Sequence, residues 1–502
     1  MSVEPSVPVP VSAPTGGEVA PLPAPPMEPT LPPTPLVWRI GIFAVVFVAG
    51  AIVTYFGGSM NAHARAAIGI TCFIGVVAAC SVNLRAVRWR PIAWGLALQL
   101  VFALFILKTA AGASVFQSIG GVVEQFLGFT SAGSKFVFGA FADPAAVGGV
   151  FGAKNGFIFA FQALPTIIFV SSFFTVLYYF GVLQLIVRVM AKAMMHVMGT
   201  SGAESLSAVA NVFMGQTEAP LIVKPYVARM TRSELLAMMV GGMATISGGV
   251  MAVYIQMGAD AVAILATSVM AAPCGLYLSK LMLPETQLPE THGNATVKSE
   301  KLHSNAIDAA AGGASDGLFL ALNVAAMIIA FLAFIALIDA LLGGIKPMLL
   351  GMWISAESLE WFPNDLSLSW IFSKIFYPVA LLMGCVVDDA GKIADLLGTK
   401  LVSNEFVAYA KLTSPITEKG YAAVDPSLAV DHAQAITRHG LVLATFALTG
   451  FANIASIGIQ IGGIGSLAPT RRADLAALGA RALLCGFIAT LINASLAGML
   501  SG

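Results

Sequence analysis

Charge is the scarcest commodity in this chain. Only 10% of its 502 residues are Asp, Glu, Lys or Arg, while 58% are hydrophobic, and the mean hydropathy is +0.86. A soluble domain carries roughly 25% charged residues to cover its surface. A water-soluble globule is therefore excluded, and a protein whose solvent is largely lipid is indicated. Acidic and basic residues number 26 each. With a net charge of zero, no electrostatic footprint for nucleic acid is present. Cysteine is sparse too. Cys72, Cys80, Cys274, Cys385 and Cys485 lie scattered in or near apolar runs without a CxxC spacing, so neither a disulfide framework nor a zinc site is suggested. They read as free, buried thiols. The six histidines are dispersed without ligand spacing.

What is present is a series of long apolar runs. Nine candidate membrane spans lie near 37–57, 64–82, 91–109, 156–182, 234–256, 259–281, 317–343, 438–460 and 478–500. Residues 1–36 precede them and hold 12 of the 26 prolines. Such a composition cannot bury enough apolar surface to offset its ordering entropy, so a disordered cytoplasmic tail is expected. Glu4, Glu18 and Glu28 stand where a signal peptide would need basic residues. The chain then divides into an N-terminal helix (37–57), a region with scaffold spans (58–202), a first interrupted segment with its following helices (203–283), a polar, mobile cytoplasmic loop (284–316) and a C-terminal region (317–502). Residues 112–139 mix apolar and polar positions and fit a helix lying along the membrane surface. Clusters at Arg85–Arg90, Lys224–Arg232, Lys280–Lys301 and Arg471–Arg481 fall on one side of a nine-span topology, which makes that side cytoplasmic and puts the C-terminus outside. Lys411, Lys419 and Arg438 fall on the other side.

Two segments, 203–223 and 368–406, are apolar but interrupted by glycine and polar residues near their middles, and they read as re-entrant helical hairpins. In the first, residues 204–214 form one half-helix, Gly215 can end it with a left-handed turn, and Thr217 can cap the next, with Pro220 in its first turn. Gln216, Thr217 and Glu218 sit at that break. The second ends in Asn404 and Glu405. Each hairpin is followed by a span with a break of its own, one at Thr245–Val250 and one at Gly450–Gly458. In lipid a freed backbone group costs several kcal/mol unless it is satisfied. Paired, glycine-interrupted segments in corresponding halves point to a midplane site of a transporter. Glu218 and Glu405 are either functional carboxylates or partners in helix-joining ion pairs, and no basic residue lies within either break. Asn211, Thr245, Asn453 and Ser456 taken singly would read as interhelical hydrogen-bonders. Beside glycine breaks they read together as a site. Val250 and Phe451 suit either a pocket wall or plain packing.

Three stretches carry a family resemblance: Gly215–Tyr226 (GQTEAPLIVKPY), Leu397–Tyr409 (LGTKLVSNEFVAY) and Gly450–Gly463 (GFANIASIGIQIGG). They resemble, in order, the first-hairpin, second-hairpin and broken penultimate-helix motifs of concentrative nucleoside transporters, over a stretch from about residue 60 to the end. The resemblance implies an all-α polytopic membrane protein with an inverted-repeat transport domain that moves like an elevator, assembled as a homotrimer in the plasma membrane, the inner membrane if the source is bacterial. It implies that Gln216, Thr217 and Glu218 address a nucleobase, with Gly215 leaving room beside it, that Val250 and Phe451 line the base pocket, and that Glu405, Asn453 and Ser456 hold ribose hydroxyls. The side chains of Asn211 and Thr245, with the carbonyls of Met214 and Ile246, would form the family's sodium position. Substrates would be uridine and cytidine, with adenosine and other purines accommodated. No organic cofactor is expected. The stretch Gly384–Ala390 lacks the Pro-Trp pair often found in the family's second hairpin.

Other readings are a proton-coupled symporter working through Glu218 or Glu405, a channel, and a membrane-embedded enzyme. An enzyme would need a catalytic constellation at one face. Asp388 and Asp389 form the only adjacent acidic pair in an apolar segment, and no histidine accompanies them.

Overall fold

A computed structural model describes residues 32–152, 156–293, 303–351, 363, 366–413 and 436–500. Most of the expected tail lies outside the described residues. Among those described the chain is helical, with no β-strand. Eight helices or helix pairs are long and apolar enough to cross a bilayer: Leu36–Phe56, Ala62–Ala79, Trp89–Lys108, Phe159–Tyr179, Arg232–Gln256, Ala261–Met282, Ala306–Met348 and Pro469–Leu500. The ninth expected span, 438–460, consists instead of two shorter apolar helices, Arg438–Leu448 and Ile454–Leu467. The expected glycine break divides it, so neither half reaches bilayer length alone.

Several boundaries differ from the sequence reading. The helix Ala306–Gly343 starts inside the segment expected to be a loop, because Asn305 caps it by accepting from Asp308 N at 2.8 Å. The helix Val182–Met198 had no counterpart in the sequence reading. Gly181 and Gly199, both in the left-handed conformation, delimit it. Residues 112–139 are taken up by Ala110–Gly128 and Thr130–Phe138. The cysteines are free as expected, with Cys80 half-buried and the other four buried.

Burial separates the helices into two kinds. In the most apolar 18-residue stretch of the Arg232–Gln256 and Ala261–Met282 spans 89% and 83% of residues are buried, whereas in those of Leu36–Phe56 and Ala306–Met348, the most apolar spans, only 6% and 11% are. Apolar helices left bare in this way face lipid or further protein. The core is built from the broken helices and Arg472–Leu500, with the long helix Ala306–Gly343 laid along Leu164–Tyr179.

Both expected hairpins form. The first packs Gly202–Ala210 against Ala219–Ile222. The second runs up through Leu368–Ile375 and Tyr377–Leu382 and returns as Val387–Val402. Its tip turns at Gly384 (φ +88°) and is held by Arg65 Nη2 donating to the Cys385 carbonyl at 2.9 Å. The first hairpin corrects two expectations. Gly215 is not left-handed, and Thr217 does not cap the second half. The chain unwinds through tight right-handed turns from Asn211 (φ −63°), so no left-handed residue is needed. The Glu218 carboxylate accepts from Gly215 N at 3.1 Å and satisfies the turn from below.

The two broken helices cross at their interruptions. Phe451 N donates to Thr245 O at 3.1 Å, and Gly248 N donates to Phe213 O at 3.0 Å. Each break thus satisfies part of the next. Gly450 (φ +142°) permits the crossing, since an added Cβ would lie 2.8 Å from Thr490 Cγ2 and 3.1 Å from the carbonyl oxygens of Met243 and Ala244. Gly450→Ala is expected to destabilise the protein by about 1–3 kcal/mol. In detergent melting it should lower the transition by several degrees, while Gly462→Ala, where a Cβ would meet nothing within 4 Å, leaves it unchanged.

Candidate functional site

The crossing places the polar residues of both breaks around one cleft of about 630 Å³. Its walls include Gly215, Gln216, Thr217, Glu218, Val250, Glu405, Phe451, Asn453 and Ser456, all nine residues expected at the substrate site. They come from four elements separated by up to 241 positions in sequence, between Gly215 and Ser456. Leu320, Val324 and Met327 of the long helix close the opposite side.

The polar side chains are mutually held. Asn453 caps the second half-helix by accepting from Ser456 N at 2.9 Å, and its amide donates to Glu405 Oε2 at 2.7 Å. Gln216 Nε2 donates to Ser456 Oγ at 3.3 Å and accepts at Oε1 from Gln460 Nε2 at 3.2 Å. Gln460 in turn donates to the Met239 carbonyl at 3.0 Å. A carboxylate, a carboxamide and a hydroxyl are thereby fixed at the mouth of a largely apolar cleft, with Val250 and Phe451 buried beside them. Such a set suits a ligand with a flat apolar ring and vicinal hydroxyls, since the carboxylate is an acceptor with lone pairs to spare. Glu218 is exposed and also lines a second cavity of about 850 Å³ with Asp316 and His303. Glu218, Ser247 and Leu320 line both cavities.

Asn211, Thr245 and Ile246 are buried close behind the cleft, with Met214 partly so. The amide of Asn211 lies against Gly241, one turn before the Thr245 break. Asn211 Nδ2 donates to Ser207 O at 2.8 Å, which leaves Asn211 Oδ1 buried with no donor. Thr245 Oγ1 donates to Gly241 O at 2.8 Å and keeps its lone pairs free. The carbonyls of Met214 and Ile246 accept no hydrogen bond among the described residues. Unsatisfied buried oxygens are costly. Three oxygens without a donor on adjoining breaks, together with the free lone pairs of Thr245 Oγ1, suit a hard cation such as sodium. No group of three or more His, Cys, Asp or Glu that could hold a transition metal occurs among the described residues.

Neither cleft carboxylate forms an ion pair among the described residues, so the helix-joining alternative for Glu218 and Glu405 is not what this structure contains. Three participants were missing from the sequence reading. Gln460 buttresses Gln216, and its signal was a lone amide inside a glycine-rich apolar helix. Lys400, inside the second-hairpin motif, is fully buried a few residues before Glu405. The wall from Leu320 to Met327 had no signal, because an apolar residue facing a site looks like one facing lipid.

Comparison with known proteins agrees with this geometry. Three family descriptions match in order: Na+ dependent nucleoside transporter N-terminus over residues 68–141, nucleoside recognition over 160–261, and Na+ dependent nucleoside transporter C-terminus over 263–498. An uncharacterized transporter of Haemophilus influenzae is 42% identical over 87% of this chain and 97% of its own length. Sodium/nucleoside cotransporter 1 of Mus musculus is 42% identical over 86% of this chain, which spans 63% of that relative's length. The human cotransporter of the same name is 41% identical over the same shares. A substrate-bound, inward-facing structure of CNTnw superposes with a TM-score of 0.77 at 36% identity, covering 88% of this chain and 98% of that one. An outward-facing CNTnw variant gives 0.79 over 88% and 99%. The chain is a multi-pass membrane transporter, not an enzyme, and it belongs to the Na+-dependent nucleoside transporter family.

Proposed function

We propose that this protein imports nucleosides across the plasma membrane (the inner membrane in a bacterium), each substrate moving with sodium down the sodium gradient. The observation that carries the reading is the adjacency of two chemically distinct sites on the same pair of broken helices. The cleft offers Glu405, Asn453 and Ser456 to ribose hydroxyls and Gln216, Thr217 and Glu218 to the base, with Val250 and Phe451 against the ring. The oxygen cradle of Asn211, Met214, Thr245 and Ile246 takes the ion. Thr245 joins them, since its side chain belongs to the cradle and its carbonyl holds Phe451 N. A sodium ion that orders Thr245 therefore orders the wall of the cleft, which is a physical route to coupling. A site built to pair hydroxyls rejects analogues that lack them, because its buried polar groups are left unsatisfied. Gly215 leaves space beside the base, in keeping with adenosine as well as uridine and cytidine.

Hairpins and broken helices are hydrogen-bonded to one another, whereas the long helix Ala306–Gly343 meets the cleft through apolar side chains and bonds the second hairpin at its start, where Leu368 N donates to Asp339 Oδ1 at 2.7 Å. That difference supports a transport unit sliding as a body against a scaffold, an elevator motion, with three copies joined through their scaffolds. Proton coupling is the second reading, and the exposed Glu218 beside Asp316 and His303 is the feature that favours it. Sodium is preferred because neither Asn211 nor Thr245 titrates in the physiological range.

Uptake of radiolabelled uridine and adenosine into proteoliposomes distinguishes these readings. A sodium gradient alone is expected to drive accumulation. Uptake driven only by a proton gradient would replace the sodium reading, and no uptake of either solute by folded protein would remove the nucleoside reading. Glu405→Gln is expected to weaken uridine transport by about 10–100-fold, the cost of a charged hydrogen bond. Thr245→Ala should raise the sodium concentration for half-maximal uptake by about tenfold, equivalent to about 1.4 kcal/mol of lost ligation.

A further inference from the structure

The two halves of the transport unit repeat one construction, and at one point they depart from it. In each half a threonine ends the first half-helix at the break and donates one turn back: Thr245 Oγ1 to Gly241 O at 2.8 Å, Thr449 Oγ1 to Thr445 O at 2.7 Å. In each, a polar side chain caps the following half-helix by accepting from the amide three residues on, Ser247 from Val250 and Asn453 from Ser456. In each, the hairpin packs on the broken helix, and a hydroxyl capping one is bonded to a carboxylate near the start of the other. Ser201 Oγ donates to Glu234 Oε1 and Thr437 Oγ1 to Asp389 Oδ2, both at 2.5 Å. The breaks at Thr245 and Thr449 are structural counterparts.

What the hairpin brings to each break differs. The first hairpin brings Asn211, whose buried oxygen has no donor. The second brings Lys400, on the helix Val387–Val402, with a relative exposure of 0%. Its Nζ donates to Ala447 O at 2.7 Å and to Thr490 Oγ1 at 3.1 Å, and it lies 5.6 Å from the Phe487 ring centre. Ala447 is in the last turn of the half-helix Arg438–Leu448, where carbonyls lack intrahelical partners and the helix dipole is negative. No carboxylate lies within ion-pair distance of Lys400 among the described residues. A buried ammonium is expensive and is not here to join two helices by an ion pair. Its surroundings are those that a broken helix gives to a coupling cation: a half-helix carbonyl and a hydroxyl.

We propose that Lys400 is a tethered cation, its ammonium taking at the Thr449 break the place that a sodium ion takes at the Thr245 break. The inference rests on the sodium reading of the Asn211–Thr245 cradle. Lys400 is then a positioning residue. It holds the Thr449–Asn453 turn in the shape that presents Phe451 and Asn453 to the cleft, and it attracts the Glu405 carboxylate electrostatically. One break carries its cation on a side chain while the other waits for a dissolved ion, so ion binding at the Thr245 break alone is left to report the gradient.

The test is uridine binding to the full-length protein by calorimetry over a range of sodium concentrations at constant ionic strength, with choline as the replacement. Lys400→Asn copies the amide of the first half. It is expected to increase the slope of log Kd against log sodium by about one relative to the parent protein, with melting that becomes more sodium-dependent. Lys400→Met, which keeps the chain length and loses the charge, is expected to weaken uridine binding at least tenfold at every sodium concentration. An unchanged slope in folded Lys400→Asn, or unchanged affinity in folded Lys400→Met, would overturn the proposal. Where neither variant folds, Thr490→Val decides: removal of one ammonium partner is expected to weaken uridine binding about threefold or more at an unchanged slope, and an unchanged affinity rejects the proposal. Absence of sodium-dependent uridine binding in the parent protein would instead reject the underlying sodium-nucleoside reading.

Discussion

A backbone that stops being helical within a membrane must find new partners for the groups it frees, and the rest of this structure is arranged around that demand. The two crossing bonds, Phe451 N to Thr245 O and Gly248 N to Phe213 O, tie both broken helices and the first hairpin together at their interruptions. Each freed donor that another break satisfies is one that lipid need not tolerate. Some oxygens at the breaks are left over. Asn211 Oδ1 and the carbonyls of Met214 and Ile246 remain without donors behind the cleft. These are the oxygens to which the proposed function assigns the ion.

The same economy explains why polar residues can be concentrated in so apolar a chain. Glu405 is buried, yet it accepts from Asn453, which also caps the helix that carries Ser456. Gln216 is held between Ser456 and Gln460. At the far ends of the core helices, Lys280 is paired with Glu204 at 2.5 Å and Glu285 at 3.4 Å. Asn453, Ser456, Gln216, Gln460 and Lys280 each serve two partners, so few polar atoms have to be buried to build the network.

The candidate site was legible to an unusual degree because its residues sit in contiguous motifs. A hairpin break writes Gly215, Gln216, Thr217 and Glu218 side by side, and a broken helix does the same for Phe451, Asn453 and Ser456. The local detail was less legible. Gly215 looked like a left-handed terminator, yet right-handed turns from Asn211 already unwind the helix there. The helix Val182–Met198 escaped notice because its seven buried positions lie on one face of a segment too polar to resemble a span. The start of Ala306–Gly343 was hidden by Ala, Gly, Ser and Asp, residues common to loops, whose helicity follows from the Asn305 cap and packing on Leu164–Tyr179.

Sequence by itself determined that this chain lives in a membrane, that two of its segments turn back and two of its helices break, and which polar residues stand at those breaks. Those properties follow from local composition and spacing, and composition sets the solvent a chain requires. Only the tertiary structure decided that the first-hairpin break and both helix breaks meet beside Asn404 and Glu405, that Leu320, Val324 and Met327 form the opposite wall, and that Gln460 holds Gln216 in place. The physical reason is range. A break can be read from its own few residues, whereas the partner that satisfies it is up to 244 positions away in the chain, as Gln460 is from Gln216, and is specified only by how the helices pack.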